Sequence, residues 1–131
     1  MVGIVLVCHS ARLAIGLTEL LAQLGTESVP ICVAAGTADG RVGTSADLVA
    51  AAIREADDGS GVVVIPDLGS AVLSVKVATE EEDPNRVVMV DAPFVEGAVA
   101  AAVTAATGAN LTAVVTAAEE ARQIPKFGPP R

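Results

Sequence analysis

The only histidine of the chain, His9, ends an aliphatic run, Gly3-Ile-Val-Leu-Val-Cys8, and is followed at once by Ser10 and, two residues later, by Arg12. Further along, a second aliphatic run ends in Asp67-Leu-Gly-Ser70, and a third ends in Asp91-Ala-Pro93. A carboxylate that accepts a hydrogen bond from one imidazole nitrogen fixes the tautomer and leaves the other nitrogen as a nucleophile. If the first two runs are neighbouring strands, Asp67 does this for His9. The amide N–H groups of a helix starting at Ser10, with the Arg12 guanidinium in its first turn, favour a dianionic group on the ring. Gly69 permits close backbone approach, and the Ser70 hydroxyl with the N–H groups after it completes an anion cradle. Catalytic His9 and Asp67, supported by Ser10, Arg12, Gly69 and Ser70, therefore point to phosphoryl transfer through a phosphohistidine. That chemistry asks a protein mainly for positioning and charge balance.

Each residue has a plainer reading. A histidine at a strand end is more often a hydrogen-bonded structural residue, Asp67 can cap the helix after it, Gly69-Ser70 is a common turn and cap pair, and Arg12 can simply be solvated. Their convergence on one edge of a sheet favours a functional site. A metal centre is disfavoured by one histidine and two cysteines without CxxC spacing. A Ser-His-Asp triad drawn from Ser10 or Ser70 with His9 and Asp67 lacks the GxSxG elbow. The segment "GTADGRVG", Gly36 to Gly43, reads as a flexible loop without the lysine of a nucleotide-binding P-loop. Glu80 to Asp83 is a solvated helix end.

The elements that must position these residues follow from hydrophobic pattern. Val2–Cys8, Val29–Ala34, Gly61–Pro66 and Arg86–Val90 read as short strands. All but the broken second are near-continuous aliphatic runs, the mark of a parallel sheet covered on both faces. Between and after them lie five helical segments. The first buries a stripe of Leu13, Leu17, Leu20, Leu21 and Leu24 and stops at Gly25. The second starts at a Thr44 or Ser45 cap, and the third is capped by Ser70 and runs to about Glu80. The fourth spans about Val95 to Thr107, and the fifth runs from an Asn110 cap to Arg122. The fold expected is α/β, an open, mainly parallel sheet of about four strands with helices on both faces, formed by residues 1–122. Residues 123–131 form a flexible tail. In such sheets ligands bind beyond the carboxyl ends of the strands, where the strand order reverses.

Composition limits the rest. The 131 residues suit one domain. Hydrophobic residues make up 52% and aromatics only 2%, so the core is built from Val, Ile, Leu and Ala. A net charge of −8 repels nucleic acid. Cys8 and Cys32 read as reduced, packed thiols of a cytoplasmic protein. No signal peptide is expected, and the uncharged stretch from Gly97 to Ala118, broken by Thr104, Thr107, Gly108 and Asn110, reads as two buried helices rather than a membrane span. The acidic surface suits transient docking of partners or plain solubility.

Four segments, "VCHSARLAIGLTELL", "AAGTADGRVGTSADLV", "VVVIPDLGSAVLSVKVA" and "APFVEGAVAAAV", together resemble the DhaM-type phosphocarrier subunits of phosphoenolpyruvate-dependent dihydroxyacetone kinases, whose first domain is related to mannose-type EIIA domains. The resemblance runs to about Arg122. It implies an acceptor histidine at His9, a carboxylate beside it at Asp67, and Gly69 and Ser70 shaping the site. It further implies HPr as donor, ADP held in the DhaL subunit as acceptor, DhaK downstream with the triose, a homodimer, and no cofactor on this chain. Cys8 departs from the family, in which Ser is usual. The chain ends where some relatives continue into HPr-like and enzyme I-like domains, so the donor is expected in trans. Two other readings are a mannose-family EIIA feeding a sugar transporter and a regulatory module controlled by phosphorylation of His9.

Overall fold

The computed structural model of the protein describes residues 1–128; the last three residues of the expected tail, 129–131, lie outside the described residues. In chain order the elements are β1 (Gly3–Cys8), α1 (Ala11–Ala22), β2 (Ile31–Ala35), α2 (Ala46–Ala56), β3 (Val62–Pro66), α3 (Gly69–Ala78), β4 (Val87–Met89), α4 (Phe94–Ala106) and α5 (Leu111–Glu120), with a 3-10 turn at Ala121–Gln123. The strands form one sheet in the order β2-β1-β3-β4, and every pairing is parallel. The open α/β sheet read from the sequence is therefore the fold.

The strands lack hydrophobic alternation because both faces are covered, yet a period of two reappears in which core each residue enters. Ile4, Leu6, Val63 and Ile65 pack with Leu17, Leu21 and the alanines of α4 and α5. Val5, Val7, Val62 and Val64 pack with Val49, Ala52, Ile53, Ala71 and Val75 of α2 and α3. The connection from β1 to β2 runs one way across the sheet and that from β2 to β3 runs back. A right-handed crossover in each direction puts their helices on opposite faces.

Small residues let the layers approach closely. The buried side of α4 is Gly97, Ala98, Ala101, Ala102 and Ala105, facing Val114 and Ala118 of α5. Side-chain caps start three helices: Ser10 Oγ accepts from Leu13 N–H at 3.3 Å, Ser45 Oγ from Leu48 N–H at 3.3 Å, and Asn110 Oδ1 from Ala113 N–H at 2.9 Å.

Two expectations need correction. Of the leucine stripe only Leu17 and Leu21 are buried, beside Ala14 on α1, while Leu13 and Leu20 of α1 and Leu24, beyond the helix end at Ala22, are exposed. The buried arc of α1 is narrow because one flank of the helix is left uncovered by the described residues. The third helix starts at Gly69 with Leu68 as its cap position and no side-chain cap, so Ser70 lies inside its first turn and its hydroxyl is directed elsewhere.

At the start of β1, a Cβ on Gly3 would lie 2.2 Å from the carbonyl oxygen of Ala56, the last residue of α2. Neither backbone can yield without moving a packed element, so Gly3→Ala should destabilise the fold by about 2 kcal/mol or more. Urea unfolding measures this, and an unchanged midpoint would show that α2 does not bear on the strand.

Candidate functional site

Polar residues gather where β1 and β3 end side by side. Val7 lies opposite Pro66 in the parallel register, and Asp67 N–H donates to Val7 C=O at 2.9 Å, carrying the pairing one residue past the strand. This brings Asp67 beside His9. One carboxylate oxygen, Oδ2, accepts from the His9 backbone N–H at 3.0 Å, and the imidazole Nδ1 lies 3.0 and 3.1 Å from Oδ1 and Oδ2. A carboxylate can only accept, so Nδ1 carries the proton and the lone pair of the neutral ring resides on Nε2. Ser70 Oγ lies 2.9 Å from Nε2 and donates to it. The Asp67 side chain is 8% exposed and that of His9 22%, so the carboxylate is screened while the ring keeps an open edge.

Local sequence accounts for this arrangement. Without a capping side chain, the Gly69 and Ser70 N–H groups of α3 stay available to an incoming acceptor, whereas Ala71 N–H donates to Leu68 C=O at 3.0 Å, and the positive end of the helix dipole lies beside the imidazole. Gly69 opens that first turn, and a Cβ there would meet nothing within 4 Å, so the approach to the turn is unobstructed. Ser10 directs its hydroxyl to the cap of α1 rather than to His9. Cys8 is buried, its thiol donates to the Ser10 carbonyl at 3.2 Å, and burial pushes its pKa up, so it remains a neutral packing group. Arg12 is exposed and forms no ion pair with any described residue. It lines a cleft of about 240 Å³ together with His9, Ser10, Ala11, Gly40, Arg41 and Val42.

The third polar strand end does not join the histidine. Asp91 pairs with Arg122 at 3.3 Å, and its side chain is 84% exposed. It borders a cavity of about 420 Å³ that opens between Asp67, Leu68, Gly69 and Val72 on one side and Met89, Val90 and Ala92 on the other.

One neighbour of His9 had no chemical signature in the sequence. The loop from Gly36 to Gly43 follows β2, and β2 pairs with the same central strand, so the loop emerges at the same edge. Gly36 N–H donates to Cys8 C=O at 3.0 Å and Gly43 N–H to His9 C=O at 3.1 Å. Position after a strand adjacent to β1 was the only signal that could have found it.

Residues 3–115 match the family model EIIA-man, described as the PTS system fructose IIA component. A "PEP-dependent dihydroxyacetone kinase 2, phosphoryl donor subunit DhaM" of Listeria innocua is 39% identical over 79% of this chain and 85% of its own length. The corresponding DhaM subunit of Escherichia coli is 42% identical over 88% of this chain, which spans only 26% of that longer protein. Among solved structures, the crystal structure of a protein of unknown function, EF1359, superposes with a TM-score of 0.81 at 38% identity, covering 92% of this chain and 95% of the other. No helix among the described residues is long and apolar enough to cross a membrane. The fold, the extent of the family match and the identity to full-length short relatives agree: the chain belongs to the EIIA-man family of phosphotransferase-system components, and within it to the DhaM phosphoryl donor subunits.

Proposed function

We propose that this chain is the phosphocarrier of a phosphoenolpyruvate-dependent dihydroxyacetone kinase and that His9 carries the phosphoryl group on Nε2. The observation that carries the reading is the line Asp67–His9–Ser70, in which Nδ1–H is held at 3.0 Å by a screened carboxylate and Nε2 faces a hydroxyl at the open start of α3. The Nε2 lone pair attacks the phosphorus of phospho-HPr in line. The new N–P bond forms as the donor's P–N bond breaks, and that electron pair returns to the donor imidazole. The ring of His9 then bears positive charge with Nδ1 protonated, and Asp67 offsets it. Ser70 O–H, displaced from the lone pair, donates to a phosphoryl oxygen, and the Gly69 and Ser70 N–H groups at the start of α3 donate to the others.

In the second step an oxygen of the β-phosphate of ADP, held in DhaL, forms the P–O bond. The N–P pair returns to Nε2, restoring the starting tautomer, and DhaL passes the group to the triose on DhaK. Asp67 orients and balances charge without forming a bond itself. Arg12, exposed beside His9, suits the recognition of the phosphate groups of either partner. The chain acts in this reading as a cytoplasmic homodimer; the exposed Leu13 and Leu20 of α1 and Leu24 just after it, with Val95 and Val103 of α4, are the apolar side chains a second copy would cover. The family description as a fructose IIA component keeps a sugar-transporter IIB domain as the second candidate acceptor.

Intact mass after incubation with phosphoenolpyruvate, enzyme I and HPr should rise by one phosphoryl group, about 80 Da for this modification. The gain should be absent in His9→Ala and discharged by ADP-loaded DhaL. Discharge to a IIB domain instead would assign the chain to a transporter, and label retained by His9→Ala would overturn the site. Asp67→Ala should slow transfer roughly 10- to 100-fold, as removal of an orienting partner does, without abolishing it. In ¹⁵N NMR spectra of the unphosphorylated protein with the imidazole neutral, Nδ1 should show the pyrrole-type shift and Nε2 the pyridine-type shift; the reverse would remove Asp67 as the orienting acceptor.

A further inference from the structure

The phosphohistidine reading of His9 leaves a charge imbalance. A phosphoryl group adds up to two negative charges next to the Asp67 carboxylate, and against these stand the ring itself and one nearby cation from α1, Arg12. Among the remaining basic side chains of the described residues, Arg86 pairs with Asp57, Arg122 with Asp91 and Lys126 with Glu96. Arg54 and Lys76 lie in the last turns of α2 and α3, away from the strand ends. Arg41 is different. It lines the cleft of about 240 Å³ that His9 and Arg12 also line, and no carboxylate lines that cleft with them.

The loop that presents Arg41 is tied to the histidine and closed on itself. Besides the bonds from Gly36 and Gly43 to the carbonyls of Cys8 and His9, Thr37 N–H donates to Arg41 C=O at 2.9 Å, Gly40 N–H to Thr37 C=O at 3.0 Å, and Arg41 N–H to Thr37 Oγ1 at 3.1 Å. Gly36 and Gly40 hold φ of 71° and 85°, and a Cβ at Gly36 would strike the Arg41 carbonyl oxygen at 2.8 Å. The backbone of Arg41 is thus fixed relative to His9 while its side chain is 81% exposed. Its guanidinium is engaged by Asp39, Nε to Oδ2 at 2.8 Å, and Asp39 is itself 55% exposed. Exposed pairs of this kind are weak. Asp39 also accepts from the Thr37 hydroxyl, so it keeps a partner if the guanidinium leaves.

We propose that Arg41 is a phosphoryl-binding residue held in reserve by Asp39: when His9 becomes phosphorylated, the guanidinium exchanges the Asp39 carboxylate for the phosphoryl oxygens across the cleft. The guanidinium fork can meet two oxygens of a phosphoryl group as it can those of a carboxylate, and the phosphoryl dianion carries up to twice the charge. This inference rests on His9 accepting a phosphoryl group. It adds a ligand for that group and a carboxylate that competes for the ligand.

The test modifies the protein chemically with phosphoramidate, which phosphorylates imidazole without any partner protein. The single histidine gives one ³¹P resonance. The pH titration of that resonance reports the phosphoryl group's last ionisation, which is sensitive to Asp67 from the end of β3, Arg12 from α1, Ser70 from α3, and Arg41 and Asp39 from the loop. A guanidinium on the phosphoryl oxygens favours the dianion. The midpoint in Arg41→Gln should therefore lie about half a unit or more above wild type, that in Asp39→Asn below it, and that of Arg41→Lys between wild type and Arg41→Gln. Thermal unfolding of the unmodified variants should be unchanged, since the side chain is exposed. Coincident midpoints for wild type, Arg41→Gln and Asp39→Asn would overturn the proposal. Chemical phosphorylation with the expected shifts, but no phosphorylation by HPr, would support Arg41 and count instead against HPr as the donor.

Discussion

Val7 lies opposite Pro66 in the β1–β3 pair, and the functional edge of the molecule depends on that register. A slip of one residue would turn every side chain of β3 to the other face. It would move Val63 and Ile65 out of one core, Val62 and Val64 out of the other, and the Asp67 carboxylate away from the ring of His9. Both cores therefore hold the geometry of the strand ends, since the pairing that separates them is the pairing that sets Asp67 beside Nδ1. The strand order reverses at β1 and β3, which leaves space above their ends that no crossover covers.

Packing by small residues serves the same end. The alanines of α4 and Gly97 seat α4 closely against α5 and the sheet, and Gly3 lets the end of α2 approach the start of β1. Close layers keep the first residues of the strands fixed, and short strands transmit that fixity to their other ends. The polar residues there need no further scaffolding beyond one loop and the starts of α1 and α3.

Most of this frame was legible in the sequence, and the reasons differ by element. β1 and β3 are nearly pure aliphatic runs ending in polar residues, so both the strands and the location of His9 and Asp67 could be read from pattern and the rule for parallel sheets. The Asn110 cap and the break at Gly108 separated α4 from α5 for similar local reasons. What escaped depended on neighbours. The leucines of α1 have helical spacing whether they face a core or a bare flank, so spacing could not tell Leu17 from Leu20. Ser70 looks like a cap because a serine before a helix usually is one; only the position of the imidazole redirects its hydroxyl. The loop at Gly36 to Gly43 reads as flexible from its glycines, whereas those glycines make the turns that tie it to the carbonyls of Cys8 and His9.

The aliphatic character of the two cores has an optical consequence. The chain contains no Trp and no Tyr, and of its two Phe side chains Phe94 packs at the margin of one core and Phe127 is fully exposed. The protein is thus almost transparent near 280 nm and has no tryptophan emission. In a mixture with any Trp-containing protein, all the tryptophan emission comes from that protein, and an association here can be followed without labelling either component.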